Sequence, residues 1–309
     1  MSANGVIPYI DTHCHTHTRS YDDWETLGAT GCAALVISAG VPNLMYLEMH
    51  EEMPDLEDAR HYWGQPIRFA PLAEAKHYFK VNVAIGLNHM SGWKDWDKAI
   101  ELMPELLKDP HVIGIGEIGL DPRQMQYQWP MDEQEEAVAR QTQVAKDHKV
   151  PLILHTPTPP PAESGKRGGD YRQESVAPDV PMDEYKLHWL KKDLEIIDRV
   201  GLPHELLIVD HSDKTTIEWA LRETEAYVGI SIGSHFRVTN PQFFADVVER
   251  YGPERIIVNT DHAALLSCDI MAIPKAIREM RRRGIEEAAI QRAVFDNANE
   301  CFSMGLEAG

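Results

Sequence analysis

Nowhere in the 309 residues is there a run of about 18 apolar side chains, so no segment reads as a membrane-spanning helix. The opening MSANGVIPYI has no basic stretch ahead of an apolar core, and no secretory signal is expected. Cysteine is scarce: Cys14, Cys32, Cys268 and Cys301 are scattered, without a CxxC pair. That argues against a disulfide framework or a zinc ribbon, and for reduced thiols in a cytoplasmic protein. Positive charge is in short supply as well. With 49 acidic against 30 basic residues the formal charge is −19, which repels polyanions at long range and favours a small-molecule partner over nucleic acid. No GxxxxGK[ST] loop is present, which removes one common phosphate cradle.

What is present is ordinary in bulk and regular in order. A hydrophobic fraction of 43% with 26% charged residues is that of a globular protein. Short apolar, β-branched runs recur at 6–11, 33–38, 81–87, 112–118, 151–155, 206–211, 226–232 and 255–261. Their nearly continuous hydrophobicity is that of parallel strands buried on both faces. Amphipathic stretches lie between them, among them 131–149, 183–200, 240–252, 271–284 and 285–302. The first of these opens acidic and closes basic, the order that a helix dipole favours. Eight strands alternating with helices predict an α/β fold, a (β/α)8 TIM barrel forming a single domain over residues 1–309. Two regions stand out. Residues 43–80 hold Pro54, Pro66 and Pro71 in a long second βα unit, and 156–182 form a Pro/Gly-rich insertion after strand 5.

Chemistry collects at the strand ends. D-T-H-C-H places His13 and His15 two residues apart, so both imidazoles project from the same side of the first strand. His17 continues the run, and a surface histidine cluster is the competing explanation of that motif alone. Strand four ends at Glu117, strand five at His155, strand six at His211 and strand eight at Asp261. Each is a good donor to a divalent metal, and each falls where barrel enzymes keep their active sites. Several buried acids and histidines without a cation would have to bind protons or repel one another. Asn88, His89, His235 and His262 follow strands three, seven and eight and are expected to line the substrate pocket. His50, His61, His77, His111, His148, His188 and His204 read as solvated.

These residues carry a resemblance. D-T-H-C-H at 11–15, G-E-I-G-L-D at 116–121, D-E-Q at 132–134, P-L-I-L-H at 151–155 and T-D at 260–261 resemble, in order, the TatD-type metal-dependent hydrolases of the amidohydrolase superfamily. The resemblance implies a binuclear metal centre: His13, His15, Glu117 and Asp261 on one ion, Glu117, His155 and His211 on the other, with Glu117 bridging. The chain departs from the family pattern on the substrate side. Where the family pattern shows G-x-H-P after strand three, Gly86 is here followed by Leu87, Asn88 and His89; His262 follows Asp261 directly, and the 156–182 loop is long.

The expected activity is hydrolysis of an ester, amide, lactone or phosphoester bond in a small molecule by a metal-activated water, with Asp261 as ligand and general base. The nitrogen and carboxylate donors suit two zinc ions and also permit manganese or magnesium. Lys166, Arg167 and Arg172 in the long loop are candidates to meet an anionic group. A metal-dependent deoxyribonuclease or phosphodiesterase is the alternative enzyme, and a non-catalytic metal-binding barrel the alternative outside enzymology.

Overall fold

The computed structural model describes residues 5–15, 19–39, 53, 55–87, 92–124, 129–157, 172–173, 180–181, 183–234, 239–262 and 268–308. Eight parallel strands form one sheet in chain order: β1 (Tyr9–Cys14), β2 (Cys32–Ala39), β3 (Lys80–Ile85), β4 (Val112–Ile118), β5 (Leu152–Leu154), β6 (Leu207–Val209), β7 (Tyr227–Ser231) and β8 (Ile256–Asn259). The sheet curls back on itself where β8 meets β1. There the Asp261 N–H donates to His13 O and the His15 N–H to His262 O, both at 2.9 Å, and Cys14 and His262 form a parallel bridge. The expected (β/α)8 barrel is the observed one.

Each strand is followed by a helix that shields its outer face. These are α1 (Tyr21–Ala29), α2 (Leu56–His77), α3 (Trp96–Leu106), α4 (Met131–His148), α5 (Tyr185–Val200), α6 (Ile217–Glu223), α7 (Pro241–Tyr251) and α8 (Ala272–Arg283). A final helical run joins α9 (Glu287–Gln291) to α10 (Asn297–Cys301) through a π turn at Arg292–Asp296. It puts the fully buried Phe295 among the core side chains with Trp63, Trp189 and Phe244. The strands are buried almost without interruption, because helices cover one face and barrel-filling side chains the other.

Two expectations differ from the structure. The first strand, expected over 6–11, runs Tyr9–Cys14, because the polar D-T-H-C segment is itself buried strand. The Pro-bearing 43–80 region, expected as part of a long second βα unit, contains a 22-residue helix, α2, with Pro66 and Pro71 inside it. Its start is marked by a reciprocal capping box between Asp55 and Asp58, and Trp63 on its inner face donates through Nε1 to Gly86 O at the end of β3. His77, read as solvated, is buried at the end of α2, with Nδ1 2.9 Å from Glu25 Oε1. Between β5 and α5 lies the long insertion. Of it, Arg172–Gln173 pair antiparallel with Arg123–Gln124, and most of the remainder falls outside the described residues.

Candidate metal centre

All six residues singled out at the strand ends arrive at one mouth of the barrel. His13 lies on β1 and His15 just beyond it, Glu117 lies on β4, and His155, His211 and Asp261 follow β5, β6 and β8. Their donor atoms form three overlapping groups: His13 with His15 and Glu117, Glu117 with His155 and His211, and His13 with His211 and Asp261. Within each group the atoms lie within 4.8 Å of one another, and all six residues are buried. Glu117 is the hub. Its Oε1 is 3.2 Å from His15 Nε2, and its Oε2 is 2.8 Å from His211 Nε2 and 2.9 Å from His155 Nδ1. Asp261 Oδ1 lies 3.3 Å from His15 Nε2.

Each imidazole is held from behind. His13 Nδ1 meets Asp210 Oδ2 at 2.5 Å, and His15 Nδ1 donates to Ser38 O at 3.2 Å. His211 Nδ1 is 2.7 Å from Ser231 Oγ, and His155 Nε2 is 3.3 Å from Asp121 Oδ2. A histidine with one nitrogen hydrogen-bonded to the protein and the other aimed inward is the usual posture of a metal ligand, since the outer bond fixes tautomer and ring plane. The consequence at His13 and His15 is specific. With protons on both Nδ1 atoms, the two Nε2 lone pairs face each other 3.1 Å apart and repel unless a cation, a proton or a metal ion, lies with them. The donor set therefore fits divalent ions.

Electrostatics say the same. Burial opposes a charged His15, yet hydrogen bonds to Asp261 and Glu117, and their charges, raise its pKa to about 10. Burial would raise the pKa of Glu117, but the charges of His13 and His155 hold it well below the usual carboxylate range. The mouth demands positive charge at its centre. Two of the six residues, His211 (φ 56°) and Asp261 (φ 50°), sit in the left-handed region, a conformation that costs an L-residue roughly 1–2 kcal/mol and collects at functional sites.

The supports of these ligands are far less visible in the sequence. Asp210 precedes His211, yet its carboxylate serves His13 on β1 and also accepts from Asn259 Nδ2 and the His211 N–H. Ser38 Oγ accepts from the Glu117 N–H at 2.6 Å. Only a serine among apolar residues, one position before the end of β2, marks it. Of the expected substrate contacts, Asn88, His89 and His235 lie outside the described residues, as do Lys166 and Arg167. His262 is buried beside the cluster, its Nδ1 bonded to Arg19.

A (β/α)8 barrel with histidines and carboxylates gathered at the C-terminal ends of its strands is the architecture of a metal-dependent enzyme. The chain belongs to the TatD-related DNase family, which matches residues 10–303. A relative described as an uncharacterized metal-dependent hydrolase of Methanocaldococcus jannaschii is 26% identical over 295 residues, covering 96% of this chain and 100% of its own. Among solved structures, a TatD-like protein of Archaeoglobus fulgidus superposes with a TM-score of 0.66 at 22% identity, over 96% of this chain and 100% of that one. The phosphotriesterase homology protein of Escherichia coli, complexed with phosphate in its active site, superposes at 0.61 with 12% identity, over 97% and 100%. The chain is a TatD-like metal-dependent hydrolase.

Proposed function

We propose that residues 1–309 act as one barrel that hydrolyses an ester, amide, lactone or phosphoester bond in a small molecule. His13, His15, Glu117 and Asp261 would hold one divalent ion, and Glu117, His155 and His211 a second, with zinc best suited to these nitrogen and oxygen donors. The observation that carries this reading is the facing pair of His13 and His15 Nε2 atoms, 3.1 Å apart, each ring anchored from behind. When bound, such ions polarise the scissile group and lower the pKa of water.

The chain's own residues do the rest. Asp210, Ser38, Ser231 and Asp121 keep the four imidazoles turned inward. The Asp261 carboxylate, beside His15, takes up the proton released as water adds to the scissile centre. Asn88, His89 and His235 remain proposed substrate contacts. The formal charge of −19 supports a small substrate. The family description favours the second reading, a metal-dependent deoxyribonuclease or phosphodiesterase.

The deciding experiment sets metal-replete parent and Asp261→Asn against aryl esters, lactones, amides, phosphoesters and single-stranded DNA. Loss of a general base should lower kcat by roughly 10²-fold or more with the fold intact. Full turnover in Asp261→Asn defeats the assigned role. Cleavage of DNA alone selects the nuclease, and no turnover of any compound leaves a non-catalytic barrel.

A further inference from the structure

One flank of the cluster carries a tie that the ligands themselves do not require. Asp261 is stitched to β1 through its own N–H on His13 O, and the next residue, His262, through the His15 N–H on its carbonyl, both at 2.9 Å. On the upstream side Thr260 is held by Asp11, whose carboxylate accepts from the Thr260 N–H at 2.9 Å and from its hydroxyl at 2.6 Å. On the downstream side stands His262, 1% exposed, with Nδ1 3.2 Å from the Arg19 Nη1. A guanidinium has no acceptor, so Arg19 donates and His262 Nδ1 accepts, which places that ring's proton on Nε2. The other two guanidinium nitrogens of Arg19 are buried and have no partner among the described residues. The Trp24 ring centroid is 5.8 Å from Arg19 Cζ, and Trp24 is itself buried against Phe69 and Phe79. Arg19 thus spans from the face of a fixed indole on α1 to the residue after Asp261.

We infer that Arg19 and His262 form a clamp that positions Asp261. With Thr260 pinned on one side and His262 on the other, the backbone of Asp261 is kept left-handed and its carboxylate stays turned toward His15. Arg19 touches no reacting atom in this arrangement and is a positioning residue. The inference rests on the reading of Asp261 as ligand and general base. Packing alone would ask only for bulk beside Trp24, which methionine supplies. A clamp asks for a donor on residue 19 and an acceptor at the Nδ1 position of residue 262.

The test uses Co²⁺ as the probe, with affinity by calorimetry and coordination by visible absorption, alongside the thermal midpoint of the metal-free protein. The proteins are the parent, Arg19→Met, His262→Phe, His262→Asn, the Arg19→Met/His262→Phe double variant and Asp261→Asn. Arg19→Met and His262→Phe should each weaken Co²⁺ binding by about 10- to 100-fold and change the absorption spectrum, the usual effect of removing an outer support. His262→Asn, which keeps an acceptor close to the Nδ1 position, should stay within about twofold of the parent, and the double variant should lose no more than the worse single. Parental Co²⁺ affinity and spectrum in Arg19→Met overturn the clamp, and so do additive losses in the double variant. If Arg19→Met does not fold, the contrast between His262→Phe and His262→Asn decides, equal behaviour of the two overturning the clamp. A parent that binds no Co²⁺ sinks the metal reading and the clamp together. A parent that binds it, with binding altered in Asp261→Asn and not in Arg19→Met, removes the clamp alone.

Discussion

Every histidine of the cluster depends on a group that carries none of the six expected donors. His13 needs Asp210, 197 residues away, and His15 needs a carbonyl on β2. The six donors were legible because a buried histidine or acid at the end of an apolar strand is conspicuous. Their supports were not, since which strand lies beside which decides whether Ser38 or Asp210 is a scaffold or a surface residue. A different buried acid offers a prediction at this scale. Asp193 on α5 is fully buried, accepts the Leu120 N–H at 3.0 Å through Oδ1, and has no partner for Oδ2 among the described residues. Burial, then the nearby Asp121 and Glu135, raise its pKa well above the carboxylate range. The folded chain therefore holds a proton that the unfolded chain releases above pH of about 4, and stability from this group falls as pH rises from there. An asparagine side chain at this position has no such proton to keep. Asp193→Asn should raise the thermal midpoint by about 2 °C or more at pH 8 and converge with the parent below pH of about 4. A midpoint difference that is the same at both pH values rules out the ionisation argument.

Among the elements, strands were easier to find than their boundaries. Apolar runs mark all eight, but the run at β1 begins three residues before the strand because its functional half is polar, and Pro66 and Pro71 break the helical pattern of α2. Proline cannot donate to the carbonyl four residues back, yet the Asp55 cap and the burial of Trp63 hold the helix through both. The packing of strand on strand also sets a demand at one glycine. On β7, a Cβ at Gly229 would overlap Asp210 Oδ1 and stand 3.2 Å from Asp210 Cα. That carboxylate cannot swing aside freely, because His13, Asn259 and the His211 N–H all hold it. Gly229→Ala should therefore push on the support of His13, weakening zinc affinity by about 10- to 100-fold while circular dichroism still reports a folded barrel. Unchanged zinc affinity in calorimetry would show that Asp210 does not orient His13.

For the molecule as a whole, closing the barrel brings residues 13 and 261 together and concentrates acids and histidines in one buried mouth, so proton binding, metal binding and folding become one linked equilibrium. In the metal-free chain the folded pKa of His15, about 10, exceeds its ordinary value of 6.5. His13 moves the same way: burial opposes its charge, and Glu117 with Asp210 outweighs it. A histidine whose pKa is raised on folding contributes stability that is complete below pH of about 6.5 and is lost as pH climbs through the folded pKa. Divalent ions reverse that slope, because they bind only the deprotonated imidazoles and compete better as protons leave. The thermal midpoint measured with excess chelator should fall between pH 6.5 and 8.5, whereas the gain on adding zinc should grow over the same interval. At zinc about 100-fold above its Kd the gain corresponds to about 2.7 kcal/mol. Parallel curves with and without zinc would mean that the ions bind somewhere other than these imidazoles. A chelator curve that rises with pH would mean that protons do not occupy the centre in the ions' place.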